Sequence, residues 1–310
     1  MQFRFLAALT LMGLILTVPL RGLQAESEPV AQPGFIPPAL PVSDQPYSED
    51  DRVVIDKDDR QPVLTSAYPY SAIGRIDWVL ADGRSLGYCT GTLIGRDLVL
   101  TNAHCLQHPR TNQLVQPGQY QQGRDRIVFK AGMVRGVAQV EAAVRTFESG
   151  WARGTAAADD WAILKLERPL GDRVGYLGWL DANFTNPNVV SAVAGKLRLV
   201  GYAGDFPTVA LREFGRAGDT AGQHEGCSVI EGHNQGPLAG LIFHACDTNP
   251  GASGSAIFAR FDDGSYQVLG LHAGANELHR EVVLPTGDRT RYLNRGVQVN
   301  RWSSAAQRLK

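Results

Sequence analysis

The sequence predicts an all-β chain, and three observations carry that prediction. Short apolar runs recur at 93–100, 127–129, 137–144, 161–166, 189–193, 197–202 and 267–271, alternating or continuous as half-buried and fully buried strands require. Glycine (34 residues) and proline (17 residues) separate the runs, and both residue types end regular elements. Helical spacing of apolar residues emerges only from Gln298 through Trp302 to Leu309, which predicts a single short C-terminal helix.

Ahead of these runs, residues 1–25 read as an export signal. Arg4 supplies a positive charge, 5–20 is largely apolar, and Leu23-Gln24-Ala25 places a small residue at the cut, so Glu26 is expected to follow it. A retained membrane anchor is the alternative, although the run is short beside the roughly 20 residues of a bilayer span. The next stretch, 26–52, carries Pro29, Pro33, Pro37, Pro38, Pro41 and Pro46, a density that suits an extended propeptide or linker. The cluster Glu49-Asp50-Asp51-Arg52 then meets Val53-Val54-Ile55, either as a solvated run of charge or as a maturation site in a zymogen. From Val53 to the end, 53–310 is long enough for one core and leaves no room for a second functional domain.

Net charge is −1, from 30 basic and 31 acidic residues, and the basic residues are scattered. Nothing in that distribution marks nucleic acid or an anionic membrane as the partner, and a loosely bound polypeptide is compatible with it; a monomer is expected.

Three segments carry chemistry: Thr101-Asn102-Ala103-His104-Cys105, Asp160-Trp161-Ala162-Ile163-Leu164 and Gly251-Ala252-Ser253-Gly254-Ser255. A serine hydroxyl is a poor nucleophile at neutral pH, so it needs an imidazole to take its proton and a carboxylate to hold that imidazole in one tautomer. Ser253, His104 and Asp160 supply the three groups. Asp160 is preferred to Asp159 because it directly precedes the apolar run that would carry a strand inward and leave its carboxylate at the mouth. Glycines flank the Gly-Ala-Ser turn, so its backbone can bend tightly, and the amides of Gly251 and Ser253 would form an oxyanion hole. The order His, Asp, Ser differs from that of α/β-hydrolases and of subtilisins.

These motifs resemble those of the chymotrypsin superfamily, and within it the bacterial glutamyl endopeptidase branch. Leu199-Val200-Gly201-Tyr202-Ala203-Gly204-Asp205 is similar to a Gly-Tyr-Pro-Gly-Asp segment of that branch, Gly270-Leu271-His272 to its Gly-Ile-His, and Val53-Val54-Ile55 with Asp59-Arg60 to a mature N-terminus. The resemblance implies two packed antiparallel β-barrels meeting within 170–189, with His104 and Asp160 on the first and Ser253 on the second. It implies a secreted or periplasmic serine endopeptidase that needs no cofactor. Four cysteines allow three pairings; the resemblance favours Cys89 with Cys105, behind the catalytic histidine, and hence Cys227 with Cys246.

For specificity the residues point two ways. Asp247, six positions before Ser253, matches the pocket floor of trypsin-like enzymes and would favour lysine or arginine. Thr248 and His272, with Ala273 and Gly274 beside them, resemble the wall that holds a glutamate side chain in the glutamyl branch. Ala252 stands where animal digestive enzymes carry an aspartate that receives the new N-terminal amine; here the amine of Val53 would reach the primary pocket instead. A catalytically silent binding protein on the same fold is the alternative from another class. No metal site is expected, since no Cys-x-x-Cys pair occurs and His224, Glu225 and His233 lack the spacing of a zinc-protease helix.

Overall fold

In a computed structural model, which describes residues 54–55, 57–115 and 125–310, the chain builds two β units that share one hydrophobic core. The expected signal at 1–25, the proline-rich stretch at 26–52 and the Val53 start lie outside the described residues. No helix among the described residues is long and apolar enough to cross a membrane.

A two-residue strand, β1 (Gln61–Pro62), joins the second unit. The next six strands are β2 (Ile73–Val79), β3 (Ser85–Leu93), β4 (Leu98–Thr101), β5 (Arg126–Ala131), β6 (Val140–Ser149) and β7 (Ala162–Leu166). They close into an antiparallel barrel in the order β2-β3-β4-β7-β6-β5. Ile76, Leu93, Leu100, Phe129 and Ile163 fill its interior. Closure needs strands without bulk at two points: a Cβ on Gly74 would lie 2.4 Å from the Lys130 carbonyl oxygen, and one on Gly91 2.7 Å from Ile76 Cδ1. The fully buried Asp77 is neutralised by Lys130 Nζ at 2.7 Å and Arg75 Nε at 3.0 Å, as a charge removed from water requires.

The chain crosses to the second unit through a one-turn helix, α1 (Gly171–Val174). There follow β8 (Gly178–Trp179), β9 (Leu197–Gly201), β10 (Gly222–Cys227), β11 (Val229–His233), β12 (Leu241–His244), β13 (Ala256–Arg260), β14 (Tyr266–Val283) and β15 (Arg289–Gln298). With β1 they make a nine-stranded sheet ordered β1-β10-β9-β13-β14-β15-β12-β11, with β8 pairing parallel to β14. The architecture is therefore all-β, with one closed barrel and a second sheet whose hydrogen-bonded path does not close.

Two of the expected strands are corrected. The run at 93–100 is broken by Gly95-Arg96-Asp97, so β3 ends and β4 begins across a turn closed by Ile94 N–H to the Leu98 carbonyl at 2.9 Å. The run at 189–193 lies in a helix, α2 (Pro187–Val193), because Asn186 caps it by accepting the Asn188 N–H at 2.9 Å and Pro187 sits in its first turn. At the C-terminus a 3₁₀ turn (Val299–Arg301) leads into α3 (Ser303–Leu309). Trp302 is buried edge-on to Trp179, ring centres 5.8 Å apart, and Ala305 and Ala306 join the same core. Arg308 reaches Glu148 on β6, so the terminal helix straps the second unit to the barrel.

Candidate active site

Strand β4 runs through the barrel wall and delivers Asn102 and Ala103 to its mouth, where a 3₁₀ turn (His104–Leu106) begins. A disulfide from Cys105 to Cys89 ties that turn to β3. Asp160 follows the turn Ala157–Asp159 and directly precedes the Trp161 that leads into β7. Its Oδ2 lies 2.8 Å from His104 Nδ1, while its Oδ1 accepts the His104 backbone N–H at 3.0 Å. Asn102 Nδ2 donates to the Asp160 carbonyl at 2.8 Å. One carboxylate thus grips both ring and backbone of His104, which puts the ring proton on Nδ1 and leaves the Nε2 lone pair as a base. Asp159 faces elsewhere, paired with Arg301.

Ser253 sits in a turn that the barrel itself holds. The Thr90 N–H on β3 donates to the Ser253 carbonyl at 2.8 Å, and the Cys105 sulfur lies 3.9 Å from the same oxygen. Ser253 is thereby placed beside the disulfide that carries His104. The turn is closed by Ala252 N–H to the Asn249 carbonyl at 3.0 Å and Ser255 N–H to the Ala252 carbonyl at 2.9 Å. Gly251 adopts φ +100°, and a Cβ there would meet the Tyr202 carbonyl oxygen at 2.7 Å, so both conformation and space exclude a side chain. Among the described residues neither the Gly251 nor the Ser253 amide donates to a protein acceptor, which leaves both for a ligand oxygen.

On β14, next to this turn, the backbone of His272 donates to the Ser255 carbonyl at 2.9 Å, and its own carbonyl accepts the Gly254 N–H at 3.2 Å. The His272 side chain lies in a buried relay. Cys246 N–H donates to His244 Nδ1 at 3.3 Å, so the His244 proton is on Nε2 and is given to His272 Nδ1 at 3.2 Å. The His272 proton is then on Nε2, 3.3 Å from Thr248 Oγ1. Burial, aided by the charges of His104 and Arg295, lowers the His272 pKa to about 3, so the ring is a neutral donor. Burial likewise holds His244 well below its usual range, with His272 and His224 adding to the effect.

The other specificity candidates take different places. Asp247 is fully buried; its Oδ1 accepts the Ile55 N–H at 3.1 Å, its Oδ2 the Asp59 N–H at 2.9 Å, and its own N–H goes to His224 Nδ1 at 2.8 Å. Its carboxylate therefore anchors the N-terminal segment. Ala273 is buried, and its carbonyl accepts Arg295 Nη2 at 3.1 Å. At Gly274, φ +130°, the same Nη2 lies 3.2 Å from where a Cβ would stand.

A model of the trypsin-like peptidase domain matches residues 89–271, which include His104, Asp160, the Ser253 turn, Asp247 and Thr248 and end one residue before His272. The chain belongs to the trypsin-like peptidase family. Over 215 residues it is 31% identical to the glutamyl endopeptidase of Bacillus licheniformis, an alignment covering 69% of this chain and 56% of the relative. It is 27% identical over 196 residues to serine protease 23 of Bos taurus, covering 56% of this chain and 44% of that protein. The chain thus spans about half the length of these relatives. A solved structure of Glu endopeptidase in complex with MPD has the same fold, with TM-score 0.56 at 24% identity, covering 82% of this chain and all of that one.

Within this trypsin-like frame the motifs assign no role to several residues around the site, although Arg60 and Asp205 stand in segments that resemble the glutamyl branch. Among the described residues the half-buried Arg295 has only neutral partners, the Ala273 carbonyl and Asn276 Oδ1 at 3.0 Å, and its Nε is buried without one. Arg60, 5% exposed, is held between Asp58 (Nη2 to Oδ2, 2.7 Å) and Asp205 (Nη1 to Oδ1, 2.9 Å). Asn249 Nδ2 donates to Asp205 Oδ2 at 2.6 Å, which joins this cluster to the turn of Ser253. Both disulfides favoured from the sequence are present, Cys89–Cys105 and Cys227–Cys246. Among the described residues, two groups of side chains have the donor types of a metal site. In the first, Cys89 and Cys105 are bonded to each other and offer no thiolate beside His104; in the second, Asp59, His224 and Asp247, the Asp247 oxygens and His224 Nδ1 already accept backbone N–H groups.

Proposed function

We propose that the protein is a serine endopeptidase that cleaves polypeptides after glutamate, with Ser253, His104 and Asp160 as its triad. The observation that carries the reading is the 2.8 Å His104–Asp160 pairing beside a Ser253 turn bound to the same barrel. Ser253 Oγ attacks the substrate carbonyl carbon as its proton passes to His104 Nε2, and the Gly251 and Ser253 amides take the oxyanion. The C–N bond breaks as that proton moves to the leaving amine. A water then attacks the acyl-enzyme, gives its proton to Nε2, and the proton returns to Ser253 Oγ as the acid departs.

The preference for glutamate rests on the donors around His272. A carboxylate entering the site meets the Thr248 hydroxyl and the His272 Nε2–H, both fixed by the relay from Cys246. Arg295, which lacks a carboxylate partner among the described residues, supplies positive charge on the same wall. Asp247 argues against lysine or arginine, because both its oxygens already accept backbone N–H groups. Asp247, the chain neighbour of Thr248, holds the Ile55 amide, which supports a precursor in which removal of 1–52 brings the Val53 amine to the pocket. Two disulfides suit an oxidising, extracytoplasmic compartment.

The test is a mass-spectrometric map of cuts in a mixed peptide library by protein starting at Val53 and by its Ser253→Ala variant. Cuts after glutamate that vanish in the variant are expected. Cuts after lysine or arginine would overturn the specificity, and identical maps from the two proteins would overturn the enzyme in favour of a silent binding protein.

A further inference from the structure

Between Tyr202 and Thr220 the chain forms a built ledge rather than a loose loop. Phe206, Leu211 and Ala203 pack together with Ala252, the residue immediately before Ser253, and Phe214 covers them. Gly204 N–H donates to the Pro250 carbonyl at 2.7 Å, and Gly218 N–H to the Phe206 carbonyl at 2.8 Å. Tyr88, whose chain neighbour Cys89 bridges to Cys105, touches both ends of the structure. A Cβ on Gly251 would lie 2.9 Å from its ring, and one on Gly218 2.2 Å from its hydroxyl.

The ledge surrounds a cleft of about 730 Å³, walled by Gly204, Asp205, Thr208, Arg212, Arg216 and Asp219 among others. It shares no residue with the Thr248–His272 wall, and it adjoins the Ser253 turn through Gly204, whose N–H bonds the Pro250 carbonyl, on the flank where Tyr88 leads into the His104 disulfide. That flank is where the leaving half of a substrate departs, since His104 must hand its proton to the amine.

The charges of the cleft are unevenly committed. Burial opposes ionisation of Asp205, but the hydrogen bonds and charge of Arg60 outweigh it and hold the carboxyl below its usual range. Asp219 accepts the Arg216 backbone N–H at 3.1 Å and faces Arg75 Nη1 at 3.6 Å. The exposed guanidinium groups of Arg212 and Arg216 have no ion-pair partner among the described residues. Asp205 and Asp219 each face an arginine of the fold, while Arg212 and Arg216 are uncommitted among the described residues, so the charges the cleft offers to a ligand are cationic.

We propose that this cleft is a second specificity site, which receives an acidic side chain of the substrate on the leaving side of the cleaved bond, with Arg212 and Arg216 as counter-charges. The proposal rests on the endopeptidase reading above. Exposed charge pairs are individually weak, so the selection is a modest ratio that salt erodes.

The test uses internally quenched peptides that share one glutamate before the cut and differ after it, with aspartate placed at each of the first four positions in an alanine background. For the wild-type protein, aspartate at one position is expected to raise kcat/KM about 3- to 10-fold over alanine, and 0.5 M NaCl to remove most of the gain. In Arg212→Gln/Arg216→Gln the ratio should fall to about one, and in Arg212→Glu/Arg216→Glu lysine should replace aspartate as the favoured residue. Fluorophosphonate labelling of Ser253 checks that each variant keeps a formed site. An aspartate gain that survives in labelled double variants, or no gain in the wild type, overturns the proposal. Failure of the wild type to cut any peptide overturns the endopeptidase reading itself, and the second site with it.

Discussion

The amide of Thr90 donates to the carbonyl of Ser253 at 2.8 Å, so the first barrel directly holds the turn that carries Ser253. The Thr90 hydroxyl extends the grip: it donates to the Gly251 carbonyl at 3.0 Å and accepts the Tyr202 N–H at 2.9 Å. Tyr202 in turn exchanges hydrogen bonds with Met133, N–H to hydroxyl and hydroxyl to carbonyl, each at 3.0 Å. Ser253 and His104 therefore sit on different units but share one scaffold. Thr90→Val keeps the amide and removes the hydroxyl, leaving a buried N–H and a carbonyl without their partner, at a cost of about 1–3 kcal/mol. The expected result is a lower midpoint in urea and a fall in kcat larger than any change in KM. An unchanged kcat would mean that the Oγ1 link does not position the turn.

Gly254 tests the same junction by bulk. Its φ is +88°, and a Cβ would stand 2.1 Å from the Thr90 carbonyl oxygen and 2.3 Å from Thr101 Oγ1. Gly254→Ala is expected to lose fluorophosphonate labelling of Ser253 even if the protein folds, because the turn must leave the barrel to admit the methyl. Normal labelling would show that the neighbours yield.

Asp160 and Asp159 are adjacent in sequence but face different partners, His104 and Arg301. Asp160→Asn would present an amide to His104 Nδ1 and favour the wrong tautomer, with an expected loss in kcat of about 10⁴-fold. Asp159→Asn loosens only the contact with Arg301 and is expected to change kcat by less than about twofold, as an exposed pair does. Equal losses in the two variants would remove Asp160 from the triad.

What could be read from the sequence divides along physical lines. His104, Asp160 and Ser253 stand in short local contexts, because a base beside a disulfide, an acid ahead of a buried strand and a serine between glycines each need their immediate neighbours. The all-β class was legible for a similar reason, since strand burial repeats over a few residues. The helix Pro187–Val193 was not, because a run of a few apolar residues fits either element and only the Asn186-Pro187 start decides it. Arg60, Asp205 and Asn249 meet across 145 and 44 positions of chain, and Arg295 acts through the carbonyl of a residue 22 positions away. No local pattern encodes such meetings. Asp247 shows the reverse case, a residue at a suggestive spacing whose carboxylate the fold gives to the Ile55 and Asp59 amides.

The Arg60 cluster yields a prediction of its own. Arg60→Met removes the cation between Asp58, 6% exposed at its side chain, and Asp205, and leaves two carboxylates facing each other. Breaking such a pair from one side typically destabilises by about 3–5 kcal/mol. Asp205 also holds Asn249, whose carbonyl closes the turn before Ser253, so kcat is expected to fall in whatever fraction remains folded. Arg60→Lys, which restores charge without the fork, should recover stability only in part. Full activity and stability in Arg60→Met would reduce the cluster to a surface feature.

Acid stability follows from the two buried histidines. His272 is lowered to about 3 by burial and by the charges of His104 and Arg295, and His244 is lowered in the same direction, whereas both take up protons near 6.5 once the chain unfolds. Between those values the unfolded chain binds more protons than the folded one, so stability rises with pH across the window and is complete above about 6.5. Unfolding midpoints in urea are expected to be flat from about pH 8 to 7 and to fall steadily from about 6.5 to 5, a range above the ordinary titration of carboxylates. Replacing His272 by Gln should shallow that fall, because one of the two proton-excluding sites is gone. An equally steep fall in the variant would mean that other groups set the acid limit. The same variant read with peptide substrates should lose its advantage for glutamate over alanine while Ser253 still labels, which separates the role of His272 in the pocket from its weight in the fold.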